Sequence, residues 1–331
     1  MTRRDMTKRA LIIGISGQDG MYLAEWLLEQ GYEVHGASRR VSSGEHEQLS
    51  HLVNRVTLHP VDLADQSSIH AVVRESQPCE VYNLAAQSFV PTSWTQPIFT
   101  ADITGLGVVR VLDAIRQEGS SIRLYQASSS EIFGHPLEVP QTETTPLNPR
   151  TPYGCAKAYA HMIIKNYREE YGLFVASGIL YNHESPRRGL EFVTRKITDG
   201  AARIKLGMAN DLHLGNLEGR RDWGHAKDYV RAMWLMLQQD APDDFVIATG
   251  KRHSVRECCA IAFGHLGLDY NEFVQVDPKF VRVSDEPELV GDATKAREVL
   301  GWKPEISFDD MIREMAEHDL HRLERELARQ A

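Results

Sequence analysis

The residue types best suited to chemistry in this chain fall between Ser128 and Lys157. They read Ser128-Ser129-Ser130-Glu131 and then Tyr153-Gly154-Cys155-Ala156-Lys157. Tyr and Lys four residues apart share one face of a helix, so phenol and ammonium can serve one site. A lysine cation beside a tyrosine favours the phenolate, and a phenol close to ionisation is a usable base. The apolar run Arg123–Ala127 reads as a strand. Its C-terminal end presents the serines and Glu131 where open α/β sheets place their ligands. The pattern describes a proton-handling site. A Tyr-x-x-x-Lys pair alone is common on solvated helices, so its meaning rests on two companions: the serine-rich strand end and a glycine loop near the N-terminus.

That loop follows the short apolar run Ala10–Ile13 and reads Gly14-Ile15-Ser16-Gly17-Gln18-Asp19-Gly20, before a helical pattern at Leu23, Trp26 and Leu27. Strand, glycine turn and helix form the setting a dinucleotide requires: glycine lets backbone approach a pyrophosphate, and the helix N-terminus supplies free N–H groups. The spacing is G-x-x-G-x-x-G. A second strand, Glu33–Ser38, ends in Arg39-Arg40 where an acidic residue would accept from an NAD ribose. Arginine there suits a 2′-phosphate, which favours NADP. A third strand, 56–61, ends at Asp62-Leu63, with Asp62 in reach of an adenine amino group. A fourth, 80–86, carries Ala85-Ala86, small enough for a cofactor to lie flat.

Helices are expected over 105–117 and 153–171, and a strand over 174–180. The alternation predicts an α/β fold, a doubly wound parallel (Rossmann) sheet with a smaller, interleaved C-terminal α/β substrate domain. Residues 1–181 are expected to form the cofactor domain, with 222–250 returning to it, and 182–331 the substrate domain. Beyond Leu180 the chain reads as a polar loop (181–189), helices over 192–206 and 226–239, short strands over 211–215 and 245–249, and a charged helix over 308–329.

The composition is that of a globular chain: 331 residues, 42% hydrophobic and 25% charged. The net charge of -9 argues against a general nucleic-acid binder. Cys79, Cys155, Cys258 and Cys259 show no metal spacing and read as reduced thiols; no metal is expected. The apolar run after the basic N-terminus is too short for a signal peptide or a membrane helix, so a cytoplasmic protein is expected.

Glycine loop, serine-rich strand end and Tyr/Lys helix together resemble the extended short-chain dehydrogenase/reductases. The blocks Gly14–Gly20, Asn83–Ser88, Asn182–Gly189, Phe192–Ile197, Arg221–Val230, Asp244–Gly250 and Leu300–Pro304 resemble the GDP-mannose 4,6-dehydratase family within them, over nearly the whole chain. The resemblance implies NADP, GDP-mannose as substrate, GDP-4-keto-6-deoxy-mannose as product, and a homodimer or homotetramer. It implies that Tyr153 takes the C4 hydroxyl proton, Lys157 holds phenolate and nicotinamide ribose, Ser129 bonds the C4 oxygen, and Glu131 removes the C5 proton and assists loss of the C6 hydroxyl. Cofactor contacts carry over to Gly14, Ser16, Gly17, Gln18, Asp19, Arg39, Arg40, Ser42, Asp62, Leu63, Leu84, Ala85, Ala86, Ser88, Phe99, Lys157, His183 and Arg188. Substrate contacts carry over to Ser88, Ser130, Glu131, Asn182, Val193, Lys196, Arg221, Arg282 and Asp285.

Several residues depart from the family pattern. Ser129 replaces a threonine, Phe99 a cofactor-contacting tyrosine, and Arg282–Asp285 and Ser43–Leu49 differ from the usual loops. The altered 282–285 stretch and Phe89 lie near the expected substrate, so the same dehydration of another GDP-hexose or a GDP-heptose is the alternative reading. An NDP-sugar epimerase is disfavoured because it needs no carboxylate at Glu131. A non-catalytic NADP-binding protein is disfavoured because Tyr153, Lys157 and Glu131 are retained together.

Overall fold

A computed structural model describes residues 8–39, 49–119, 121–280 and 288–330. Its frame is one parallel sheet built from β1 (Arg9–Ile13), β2 (Glu33–Ser38), β3 (Thr57–Pro60), β4 (Glu80–Asn83), β5 (Arg123–Ala127), β6 (Val175–Leu180) and β10 (Asp244–Ile247). The order across it is β10-β6-β5-β4-β1-β2-β3. Because strand side chains alternate faces, each apolar run feeds two cores. Ala10, Ile12, Val34, Tyr82, Tyr125 and Ala176 pack on one side. Leu11, Ile13, Val81, Leu124 and Val175 pack on the other. Both faces are covered by helices, as a parallel sheet demands. The glycine turn after β1 and the chain leaving β4 meet at the point where strand order reverses, the place where such sheets hold ligands.

The strand and helix expectations before residue 181 hold to within a residue or two at β1, β2 and β5 and at the helix Pro152–Tyr171. The helix expected from residue 105 runs over Gly107–Glu118 and enters through a π-helical segment, Ala101–Leu106, packed against the Tyr153 helix. After β6 the chain builds two small sheets, of whose strands only Leu212–Leu214, within the stretch 211–215, was expected. β7 (Asn182–Glu184) pairs in parallel with β9 (Arg220–His225), which pairs antiparallel with β11 (Arg252–Ser254); β8 (Leu212–Leu214) pairs with β12 (Val274–Val276). The stretch 181–189, expected as a loop throughout, therefore begins with a strand.

A third core joins the helices Val193–Lys205, Val255–His265 and Phe308–Gln330 around Ile197, Trp223, Phe263 and Met315. Beside it lies a buried ion pair. Asp319, fully buried, accepts from Arg195 Nε at 3.1 Å and Thr198 Oγ1 at 2.7 Å. The Arg195 guanidinium also donates to the Pro186 and Arg188 carbonyls, tying the final helix to the loop that walls the cleft. Removing one member of a buried pair strands the other. Asp319→Ala is expected to lower stability by about 3–5 kcal/mol in urea unfolding; a loss under about 1 kcal/mol, the ceiling for surface pairs, would show the pair to be ornamental.

Candidate active site

A cleft of about 1020 Å³ opens between the main sheet and the two small sheets. Its floor is the switch point. Gly14 has φ 95°, and a Cβ there would lie 2.9 Å from the Ala85 backbone nitrogen, so only glycine allows the first turn to rest on the end of β4. Gly17 caps the helix Gln18–Glu29 with no side-chain hydrogen bond. The helix start thus turns uncapped N–H groups towards the cleft, a donor set that fits a pyrophosphate.

The chemistry-bearing residues converge on the wall opposite. Ser128, Ser129 and Glu131 follow β5, Glu131 in a single 3-10 turn (Ser130–Ile132); Tyr153 and Lys157 come from the adjoining helix, which starts at a Thr151 cap and Pro152. Ser129 Oγ accepts from the Glu131 backbone nitrogen at 3.2 Å, and Ser129 lies close enough to the Tyr153 phenol to favour its ionised form. Lys157 is only 4% exposed and donates to Ala127 O at 2.7 Å.

This geometry corrects the expected electrostatics of the pair. The ammonium sits 5.8 Å above the Tyr153 ring and is engaged by a carbonyl, not by the phenol oxygen. Burial pushes the Tyr153 phenol up to about 12; Ser129 pulls it down while Glu131 adds to the rise. Burial pulls Lys157 down to about 8, with Asp19 opposing. Lys157 does not lower the phenol's pKa in this arrangement, because desolvation outweighs a cation that faces elsewhere.

Gly14, Gly17, Gln18, Asp19, Leu84, Ala86, Ser88, Asn182, His183, Arg188, Val193, Lys196 and Arg221 also line the cleft, as expected. Ser16, Arg39, Asp62, Leu63, Ala85 and Ser130 do not line it: Arg39 is exposed past β2, Leu63 packs on Gly107, and Ser130 is buried in its turn. Phe99 does not line it either; it lies part-exposed on the short helix Pro97–Thr100. Arg40, Ser42, Arg282 and Asp285 lie outside the described residues.

Sequence reasoning missed how the glycine loop is fastened to the far wall. Ser185 Oγ donates to Gln18 Oε1 at 2.7 Å, Gln18 Nε2 donates to His183 O at 3.1 Å, and His183 Nε2 meets Asp19 Oδ2 at 2.8 Å. His183 Nδ1 faces Tyr181 O at 2.8 Å, so both ring nitrogens donate, and the ring stacks on Tyr229 with centroids 4.5 Å apart. Also missed were Phe192 and Phe280 in the lining. Phe192 meets Phe89 edge-on at 5.5 Å and carries the Arg188 guanidinium 3.5 Å from its centroid, bridging the cleft. Phe280 lies under Lys196 Nζ at 4.2 Å, while that ammonium donates to His213 O.

Fold and site together define an extended short-chain dehydrogenase/reductase. A family model described as GDP-mannose 4,6 dehydratase matches residues 11–315. The chain is 50% identical to GDP-mannose 4,6 dehydratase 2 of Arabidopsis thaliana over 331 residues, covering 96% of this chain and 88% of that one. It is 50% identical to human GDP-mannose 4,6 dehydratase over 338 residues, 94% and 91% of the two chains. Among solved structures, UDP-glucose 4-epimerase of Thermotoga maritima superposes with a TM-score of 0.84 at 26% identity, covering 95% of this chain and 99% of that one. A dTDP-glucose 4,6-dehydratase from Bacillus anthracis shares the fold, with a TM-score of 0.83 at 21% identity over 96% and 98%. The chain belongs to the GDP-mannose 4,6-dehydratase family.

The clasp has a defined pH dependence. Burial alone would lower the His183 pKa, but Asp19 more than offsets it, so the histidine ends above its ordinary 6.5; Asp19, against the opposing effect of burial, ends below 3.8. A raised histidine stabilises fully below pH 6.5 and loses that contribution as pH rises through its folded pKa; the carboxylate side fails only below pH 3.8. Asp19→Asn is expected to drop the His183 pKa below its wild-type value in an NMR titration. An unchanged value would mean that Asp19 does not hold the proton there.

Proposed function

We propose that the chain is a hydro-lyase converting GDP-mannose to GDP-4-keto-6-deoxy-mannose with no net redox change. The observation that carries this is Glu131, a carboxylate that lines the cleft together with Ser129 and Tyr153, in a chain half-identical to relatives named for this reaction. A nicotinamide dinucleotide, when bound, supplies the acceptor for hydrogen from C4 and returns it to C6.

Tyr153 takes the C4 hydroxyl proton, and Ser129 hydrogen-bonds that oxygen. A phenol raised to about 12 is a reluctant base at neutral pH; swinging the Lys157 ammonium from Ala127 O toward the phenol and the ribose would favour its ionisation. The C4 ketone makes C5–H acidic. Glu131 removes that proton; the C5=C6 bond forms as the C6–O bond breaks, and Glu131 gives the proton to the departing hydroxyl as water. The proton lost by the C4 hydroxyl is balanced by one delivered to C5 after hydrogen reaches C6. Asn182 and Ser88 are assigned to the sugar, and Val193, Lys196, Arg221, Arg282 and Asp285 to the GDP portion; Ser130, buried in its turn, supports Glu131 from behind.

NADP is the dinucleotide proposed, because β2 runs into Arg39 and Arg40 with no carboxylate at its end. The remaining expected contacts, Ser16, Ser42, Asp62, Leu63 and Ala85, belong to its adenosine half and the loop backbone. The lobes proposed are residues 1–181 with the returning stretch 222–250, and the remainder of 182–331. A second copy would cover the apolar face of Trp94, Ile98, Leu106, Tyr159 and Met162, exposed on neighbouring helices. No helix among the described residues is long and apolar enough to cross a membrane; a cytoplasmic home is part of the proposal.

Purified protein with GDP-mannose and catalytic NADP should form a product one water lighter, with no NADPH left over. Glu131→Gln should lower turnover by about 100-fold or more while NADPH binding stays within about 3-fold, since removing a positioned acid–base group costs about 10²–10⁴. Unchanged GDP-mannose alongside turnover of a GDP-heptose would replace the substrate and keep the reaction. A C4-epimerised sugar as sole product would overturn the dehydration.

A further inference from the structure

We propose that Gly154 is a positioning residue for the elimination step. Lacking a side chain, it lets the backbone of Glu131 seat on the first turn of the Tyr153 helix, which fixes the base for C5 relative to the phenol that serves C4. The inference rests on the role given to Glu131 above.

A Cβ built on Gly154 would lie 2.6 Å from the Glu131 carbonyl oxygen, with Pro149 Cβ and Thr151 Oγ1 next at 3.2 Å. The first contact is with backbone, which cannot swing aside as a side chain can, so the turn would retreat by most of an ångström. Gly154 is helical, and helix propensity alone favours alanine by about 1 kcal/mol. The close approach, not the backbone angles, is what requires glycine.

The helix side cannot yield easily. Thr151 Oγ1 caps the helix by accepting from Gly154 N at 2.9 Å. Nor can the far end of the turn. Asn148 N donates to Ile132 O at 3.0 Å, Asn148 Nδ2 donates to His135 O at 2.7 Å, and Ile132 and Phe133 are fully buried against Ala158 and Ile179. The strain therefore falls on the Ser130–Glu131 turn, where the bonds from Glu131 N to Ser129 Oγ and from Phe133 N to Ser130 O must lengthen. Lys157, held by Ala127 O, keeps the helix that carries Tyr153 in place.

Gly154→Ala should therefore separate two steps that share one cleft. In a single turnover with GDP-mannose and NADP, NADPH absorbance reports C4 oxidation. Exchange of the C5 hydrogen in D2O, with product mass, reports elimination. Oxidation is expected within about 3-fold of wild type and elimination slower by about 100-fold, the scale of a 1 Å misplacement, so NADPH accumulates. Partial unfolding lowers both rates equally and cannot produce that ratio. Equal loss of both steps, or loss of neither, overturns the proposal. Should the variant not fold, the Pro149→Gly, Gly154→Ala pair clears the second contact, keeps the one with Glu131, and carries the same test. Glu131→Gln run alongside separates the layers. If it retains C5 exchange, the base assignment falls; if it loses exchange and Gly154→Ala keeps it, only this inference falls.

Discussion

The hydrogen bond from Lys157 Nζ to the Ala127 carbonyl is the contact on which the site depends. It buries an ammonium, a costly act unless the charge is well held, and it joins the catalytic helix to the end of β5 across a 30-residue separation. The carbonyl is itself steadied. Gln126 Nε2 donates to it at 3.1 Å, and Asn83 on the neighbouring strand donates to Gln126 Oε1 at 2.8 Å. Two buried amides on adjacent strands thus set the acceptor, the acceptor sets the lysine, and the lysine's helix sets Tyr153. Burial disfavours both charged forms: the phenol holds its proton, and Lys157, pulled down to about 8, remains an ammonium at neutral pH but gives up its proton more readily than an ordinary lysine. Charge can then be redistributed when a ligand arrives, instead of being fixed beforehand.

A second constraint comes from the opposite wall. Residues 18 and 19 open the helix that faces a pyrophosphate, yet their side chains reach His183 and Ser185 on the other side of the cleft. One short segment therefore serves the cofactor with its backbone and closes the cleft with its side chains. Above it, the Phe89–Phe192–Arg188 bridge adds apolar cover. A reaction that makes an unsaturated ketone benefits from such cover, since water is the competing nucleophile.

The main sheet was legible because its strands are continuous apolar runs bounded by polar turns: Ala10–Ile13 and Arg123–Ala127 admit little else, and Tyr153 and Lys157 share a face by helical period alone. β7, β11 and β12 have three residues each, too few for a period to emerge, although β8 was legible within 211–215. The π segment at Ala101–Leu106 has no sequence signature short of the helix it packs against. The acceptor of Lys157 is a carbonyl, which no residue type announces, so the phenol's environment was misread. The Asp19–His183 pair joins residues 164 apart, and the need for glycine at 154 exists only once Glu131 is folded against it. Phe99, whose role was carried over by position alone, sits on a four-residue helix outside the cleft lining, a placement that no period could have given.

The account's central claim is that one hydrogen leaves C4 and returns to C6 within a single cleft. GDP-mannose deuterated at C4, turned over with excess unlabelled NADPH in solution, tests it directly. The account predicts a product one water lighter that keeps the deuterium, now at C6. Deuterium found in the pool of free NADPH, or lost to water, would contradict it.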